Sequence, residues 1–338
     1  MLGGCYLAEY IATFITGFND IVKEQLIKDL PKAKIINVYD GLIYFEFDGY
    51  YKRVTKLLYL NNIFYVLHFF RGRNLSFENM IELTKKEKHK FLISEGTYRV
   101  RFSKENQFAK VDKRLVNYAE KNIQHCSNLK IDRVHPRTEV WYIIRTEKIG
   151  FFCQLFSKRE ATEKNLNKGE LRPELAYLMC ICGELSNNSI VIDPFCGYGA
   201  IPKQLVQEFP VKQVIASDID RIKIENIRKA NWTHNAVLVI ELKDANRLDS
   251  IQSHSIDAVI TDPPWGYFEN IGNIEEFYVS VLYEMLRIIK KTGKVIILSA
   301  RKEELINACK ICHIRIAKQI NTLVNGKKAS IFILYQGD

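Results

Sequence analysis

From residue 190 to residue 299 the chain repeats one unit, a short apolar run followed by a helical pattern. The runs at Ile190–Ile192, Gln213–Ser217, Val237–Leu242, Ile256–Thr261 and Lys294–Ser299 read as strands. Strands that alternate with helices fold as a parallel sheet with helices on its faces. A last pair, Ile314–Leu323 and Ala329–Tyr335, flanks Asn325-Gly326, a strong hairpin signal. Alternating units followed by a hairpin predict a doubly wound α/β sheet whose final strand runs antiparallel. Such open sheets bind ligands outside the carboxyl ends of their strands. The residues just past each run are therefore the ones to examine.

Four successive runs end in a carboxylate: Asp193, Asp218, Asp244 and Asp262. Any one of them alone reads as a helix cap or a loop-solvating side chain; together they line one edge of one sheet. The first opens Asp193-Pro-Phe195-Cys196-Gly197-Tyr-Gly199-Ala-Ile-Pro202, a glycine loop between strand and helix. Gly197 and Gly199 permit a tight turn and a close ligand, and Pro202 suits the first turn of a helix. A triphosphate loop would need Gly-Lys-Ser/Thr, which is missing, and Pro202 stands where a dinucleotide fingerprint has its third glycine. Asp218 ends the next strand about 20 residues on, the position from which a carboxylate grips a ribose diol. The fourth run ends in Ile260-Thr-Asp262-Pro263-Pro264-Trp265-Gly-Tyr-Phe268. Neither proline has an N–H to continue a ladder, so the strand stops and holds Asp262 and Trp265 on a stiff backbone.

These residues resemble a class I S-adenosylmethionine-dependent methyltransferase of the amino-methylating group, whose signature is Asp/Asn-Pro-Pro-aromatic. The resemblance implies that the loop Asp193, Phe195, Cys196, Gly197, Gly199 contacts the methionine part of S-adenosylmethionine. It places Asp218 at the ribose and Asp244 at the adenine amine, with Ile219 and Ala245 beside them. Asp262, Pro263, Pro264 and Trp265 would hold the amine to be methylated, with Asp262 also near the cofactor. An exocyclic amine on a nucleobase is a poor nucleophile because its lone pair is delocalised into the ring. Acceptors on its N–H groups, the Asp262 carboxylate and the Pro263 carbonyl, favour the localised lone pair, and a flat Trp265 fixes the line of attack. A stacking aromatic also implies a base taken out of its duplex or loop.

The front half has a different pattern and a different charge. Up to Lys158 it carries 26 Lys and Arg against 17 Asp and Glu, a net of +9, whereas the remainder carries +1. A basic half attached to a near-neutral one suggests contact with a polyanion. Expected elements are strands at Ala12–Ile15, Ala33–Val38, Leu42–Phe47, Ile63–Phe69, Gly96–Phe102, Lys130–Asp132, Glu139–Thr146 and Lys148–Ser157. Helices are expected at Asp20–Leu30, Tyr50–Tyr59, Phe77–His89 and Lys110–His125. Phe64, Tyr65, Phe69 and Phe70 read as core of the first module.

Two further stretches narrow the resemblance. Leu171-Arg172-Pro173-Glu-Leu-Ala176 resembles the helix entry of methyltransferases that carry a THUMP domain, where Arg172 and Pro173 would close over the cofactor. Ala12–Phe18, Tyr98–Phe102, the helix at Lys113–His125, and Trp141–Arg145 through Gly150–Gln154 resemble the ferredoxin-like plus THUMP pair of such enzymes. The resemblance therefore implies a ferredoxin-like domain at 1–75, a THUMP domain at 76–158, a linker at 159–170 and a Rossmann-like methyltransferase domain at 171–338, its seven-stranded sheet having one antiparallel strand. In that family the front pair grips the 3′ end of tRNA and presents an acceptor-side guanosine, position 6 ahead of position 10, for methylation at N2. Arg99, Arg101, Lys104, Lys110, Lys113, Arg114 and Arg137 are the candidate phosphate contacts.

Other readings follow from the same residues. Adenine N6 and cytosine N4 present similar amines, so an amino-methylase of ribosomal RNA, other RNA or DNA is an alternative, as is a non-catalytic RNA-binding protein. A small activating protein partner is compatible with every one of these. Sulfur transfer is set aside because no Ser-Gly-Gly-x-Asp-Ser loop occurs, and Cys196 reads as a small filler rather than a carbon-5 nucleophile. Cys309-x-x-Cys312 and Cys180-x-Cys182 lie in helical apolar patterns without matching ligand pairs, so no metal is expected. No basic segment or apolar run precedes Cys5, and Leu57–Phe70 falls short of the ~20 residues of a span. These features and the scattered cysteines predict a cytoplasmic protein with reduced thiols.

Overall fold

The computed structural model of the protein describes residues 6–158, 166–267 and 271–337; Cys5, Phe268 and residues 159–165 of the expected linker lie outside the described residues. The chain divides into two compact units, Met1–Phe14 with Lys23–Arg159, and Ile15–Val22 with Glu160–Asp338.

The first unit is built on one nine-stranded sheet. Its order is β2 (Ala33–Tyr39), β3 (Leu42–Gly49), β1 (Tyr6–Thr13), β4 (Asn62–Arg71), β9 (Ile149–Lys158), β8 (Thr138–Ile144), β5 (Thr97–Lys104) and β6 (Gln107–Phe108), with β7 (Lys130–Ile131) beside β5. The β4–β9 ladder, from Asn62 opposite Lys158 to Arg71 opposite Ile149, joins the strands of 1–75 to those of 76–158. Helices α3 (Phe77–Lys85) and α4 (Lys113–Cys126) pack Met80, Ile81, Leu115, Ala119 and Ile123 onto Tyr98, Phe102, Tyr142 and Phe152. Side chains alternate along a strand, so Arg99 and Arg101 point to the face opposite these helices.

Several front-half boundaries differ from the sequence reading. The expected strand Ala12–Ile15 is the end of the eight-residue β1; Glu9 masks its alternation, and the Tyr44 hydroxyl donates to that carboxylate. The expected helix Tyr50–Tyr59 shrinks to α2 (Lys52–Thr55), because Leu57, Tyr59 and Leu60 turn inward to be buried ahead of β4. Helix α1 (Asn19–Asp29) matches to within a residue at each end. Helix α3 ends at Lys85, where His89 folds back to within 2.8 Å of the Thr84 carbonyl. Helix α4 starts only at Lys113, because the Asp112 side chain caps it by accepting from the Leu115 N–H at 2.8 Å.

The second unit holds a seven-stranded sheet in the order β12 (Val237–Leu242), β11 (Gln213–Asp218), β10 (Ile190–Asp193), β13 (Ile256–Thr261), β14 (Ile289–Ser299), β16 (Lys327–Gln336), β15 (Ile314–Val324). The pairs from β12 to β14 are all parallel, and β16 is antiparallel to both of its neighbours. This is the expected sheet with one reversed strand. Asn325 and Gly326 make the tight turn with φ of 51° and 77°. The helices are α5 (Pro173–Cys182), α6 (Ala200–Glu208), α7 (Arg221–Lys229), α8 (Ile274–Ile288) and α9 (Lys302–Ile311). Tyr278, Leu282, Met285 and Leu305 of α8 and α9 pack on Ile192, Val259 and Ile297 of the sheet. Helices on the sheet explain why β13 is an almost continuous apolar run rather than an alternating one. No helix among the described residues is long and apolar enough to cross a membrane.

Candidate active site

The order β12-β11-β10-β13 sets the four strand-end acids side by side as Asp244, Asp218, Asp193 and Asp262. Their surroundings differ. Asp193 is 1% exposed; its Oδ1 accepts the Thr261 hydroxyl at 2.6 Å and the Phe195 N–H at 3.2 Å. Burial drives its pKa up to about 7, with Asp218 pushing the same way and the two hydrogen bonds opposing. Asp218 accepts the Gly197 N–H on one oxygen and the Asp220 N–H on the other, both at 2.9 Å. It therefore ties the glycine loop to the end of β11. Asp244 turns back to accept from the Asn246 main-chain and side-chain N–H groups at 2.9 and 2.8 Å.

Among the described residues, Asp262 accepts one hydrogen bond, from the Trp265 indole N–H at 3.0 Å. Burial, and then the charge of Asp193, hold its carboxyl well above the usual carboxylate range, against the pull of that hydrogen bond. Pro263 is buried, Pro264 and Trp265 are half-buried, and Tyr267 stands 44% exposed beyond them. The sequence assigned Trp265 a stacking role; in the structure its N–H holds one Asp262 oxygen, and the other oxygen accepts no hydrogen bond from a described residue.

The glycine loop is shaped as a cradle. Gly199, with φ 87°, is the residue that caps the start of α6; a Cβ there would lie 2.4 Å from the Trp232 ring. At Gly197, φ 53°, an added Cβ would meet nothing within 4 Å, so that side of the loop is open. Cys196 and Ala245 are buried, 4% and 3% exposed, so they can offer a ligand their main chain but little side chain. Burial, then Asp193 and Asp218, push the Cys196 thiol far up. Phe195 packs edge-on to Phe277. Ile219, next to Asp218, is 72% exposed, an apolar surface for a flat ring. A polar cavity of about 320 Å³ behind the loop, lined by Asn167, Glu170, Tyr198, Lys203, Asn226 and Trp232 among others, touches none of the four acids.

Arg172 caps α5 and Pro173 is its first residue. Glu174, passed over at the sequence level, is 1% exposed; among the described residues neither of its oxygens has a hydrogen-bond donor, and Arg172 lies 3.6 Å away. The buried Ser217 hydroxyl likewise has no partner among the described residues. Buried polar groups are ordinarily satisfied, so these atoms and the open Gly197 fit a polar ligand such as S-adenosylmethionine. Thr261 and Arg301 were missed as well; the signal for each was a polar residue within two positions of a strand's carboxyl end.

The candidate phosphate contacts divide into two groups. Arg99 donates to Glu139 through Nε at 2.7 Å, and Arg101 lies 3.7 Å from the same carboxylate. Arg101 also sits 5.4 Å from the ring centroid of Phe108, which packs on Trp141. Lys104, Lys110, Lys113, Arg114 and Arg137 are exposed and make no ion pair with a described residue. Cys180, Cys182, Cys309 and Cys312 are buried in helices α5 and α9 or just past them, and among the described residues no group of three His, Cys, Asp or Glu could hold a metal ion.

A seven-stranded sheet with one reversed strand and acids beyond its parallel strands is the fold of class I methyltransferases. Residues 159–329 match the family described as RMKL-like, methyltransferase domain, and the chain belongs to that family. It is 27% identical over 174 residues to the U6 snRNA (guanine-N(2))-methyltransferase THUMPD2 of Mus musculus, covering 50% of this chain and 32% of that protein. It is 26% identical over 153 residues to the tRNA (guanine(10)-N2)-dimethyltransferase of Methanothermobacter thermautotrophicus, covering 43% of this chain and 44% of that protein. The matched segment thus spans less than half of each of these relatives, 32% and 44%. The crystal structure of TrmN from Thermus thermophilus shares the fold at a TM-score of 0.78 and 19% identity, covering 98% of this chain and 100% of that one.

Proposed function

We propose that the protein methylates the N2 amine of a guanosine in RNA, with tRNA as the substrate class and S-adenosylmethionine as the methyl donor. The observation that carries this reading is Asp262, fixed by the Trp265 N–H at the end of β13 with one oxygen still available to an amine. S-adenosylmethionine supplies a methyl group on a sulfonium, an electrophile with a good leaving group. The loop Asp193–Gly199, Asp218 with Ile219, Asp244 and the Arg172–Glu174 turn would hold it. Asp262 and the Pro263 carbonyl accept the two amine hydrogens, which localises the lone pair. The half-buried Trp265 ring limits the base to one plane, and its N–H stops Asp262 from swinging away. After transfer Asp262 takes the surplus proton; its raised pKa suits it to keep one.

The reading of the first unit as ferredoxin-like and THUMP modules, with the net charge of +9 over residues 1–158, supports RNA as the partner. Lys104, Lys110, Lys113, Arg114 and Arg137, exposed and not ion-paired, are its phosphate contacts. Cytoplasmic action on tRNA is part of this proposal. The test incubates purified protein with S-adenosylmethionine and unmodified tRNA and reads the nucleosides by mass spectrometry. N2-methylguanosine, absent with Asp262→Ala, is the expected result, and mapping it separates position 6 from position 10. N6-methyladenine or N4-methylcytosine would overturn the base assignment.

A further inference from the structure

The Asp262-Pro263-Pro264-Trp265 corner has a fastening problem. Two prolines deprive it of main-chain donors, so its orientation depends on something gripping its carbonyls from outside. Arg301, two residues past the end of β14, does so: its Nε donates to the Trp265 carbonyl at 2.9 Å. Its guanidinium carbon also lies 4.8 Å from the centroid of the Tyr267 ring. Gly266, with φ 72°, turns the chain between those two grips, and Trp265 and Tyr267 meet at 79° with centroids 6.2 Å apart.

The arginine is itself anchored. Its main-chain N–H donates to the Ser299 hydroxyl at 2.8 Å, and that hydroxyl is 2.8 Å from the Tyr278 hydroxyl; both residues are fully buried. Glu304 stands 3.7 Å from Nη1. From the start of β16, Lys327 places its ammonium 3.7 Å from the Tyr267 centroid. The topology makes this convergence possible. Strands β13 and β14 end at one edge of the sheet, and the reversed β16 begins there.

We propose that Arg301 is a positioning residue for methyl transfer. By holding the Trp265 carbonyl and the Tyr267 ring, it sets the angle at which the indole N–H presents the Asp262 carboxylate. Lys327 and Tyr267 form the second tether. The catalytic consequence rests on the proposed function above; the tethering of the loop does not.

The experiment pairs steady-state methylation with amide hydrogen exchange on the full chain, for Arg301→Met and Arg301→Lys. Displacing a reacting group by about 1 Å can lower turnover about 100-fold. Arg301→Met is expected to lower kcat by about 10- to 100-fold with KM for S-adenosylmethionine within about twofold, and Arg301→Lys to recover about half of that loss on a logarithmic scale. Exchange at the Trp265, Gly266 and Tyr267 amides of the ligand-free protein should quicken by about tenfold in Arg301→Met. Unchanged exchange and unchanged kcat overturn the proposal, and so does a rise in KM for RNA alone, which would make Arg301 a phosphate contact. If Arg301→Met does not fold, Arg301→Lys and Tyr267→Ala carry the test: wild-type exchange in both overturns it. If the wild-type protein methylates no RNA, the proposed function fails while the exchange result still decides the tether.

Discussion

Two charged stretches of this molecule look alike on paper and are built in opposite ways. At the carboxyl edge of the seven-stranded sheet, four aspartates stand in a row, and their partners are main-chain N–H groups, a side-chain amide, a hydroxyl and an indole. On β5 and β8 of the nine-stranded sheet, Arg99 and Arg101 converge on Glu139. The arginines face a counter-charge on the neighbouring strand, Arg99 through a direct hydrogen bond and Arg101 at 3.7 Å. The aspartates receive no cation from a described residue: Asp193 is driven to about 7 instead, and Asp262 higher than a carboxylate normally sits. Like charges crowded together without counter-charge are the signature of a site that expects something cationic or proton-bearing to arrive.

The sharpest break in that contrast would come from Asp262. Asp262→Asn should lower single-turnover methylation by about 100- to 1000-fold, the scale of losing one oriented polar group at a reacting centre, while S-adenosylmethionine still binds in calorimetry. A variant that retained full rate would reduce the acid row to a structural curiosity. Next in size is the glycine loop. Gly199→Ala forces a side chain to 2.4 Å from Trp232 at φ 87° and should cost about 3 kcal/mol in denaturant unfolding. Gly197→Ala, at φ 53° with open space around it, should cost only about 1 kcal/mol yet weaken cofactor binding.

A third test uses pH. Folded Asp193 titrates near 7 rather than 3.8, so the native state keeps a proton that the unfolded chain has released. Its contribution to stability is therefore present below pH 3.8, falls as pH rises to about 7, and is level above. Melting of the ligand-free protein at several pH values should show that decline, and Asp193→Asn should flatten it. Because Asp193 also raises Asp262, the same variant should shift the rising limb of any methylation pH profile to lower pH. The smallest effect belongs to the other stretch. Glu139→Gln releases Arg99 and Arg101 and should tighten RNA binding by less than about threefold, with a slightly steeper salt dependence. A large gain would show that these arginines are held in reserve rather than spent on the sheet.

The second unit was legible because helix–strand alternation, Asn325-Gly326 and the acid after each run are all local signals. Strands β12 and β13 fall on the expected residues, and the reversed β16 follows from the hairpin. The first unit was less so. Its β4–β9 ladder joins residues 78 to 96 positions apart, and nothing near Asn62 announces Lys158 as a partner. Of the site, the acids and glycines could be read directly. Thr261 and Arg301 could not, because each matters through a contact with a distant part of the chain, and Glu174 could not, because its burial is set by how α5 packs. A charged side chain at position 301 gives no sign that a carbonyl thirty-six residues earlier is its acceptor.

The reversed strand has a practical corollary for instrumenting the enzyme. From Lys327, beside the aromatic corner, β16 runs ten residues to Gln336, roughly 30 Å at about 3.3 Å per residue. A dye, affinity handle or fusion partner joined after Gln336 would emerge from the far rim of the sheet.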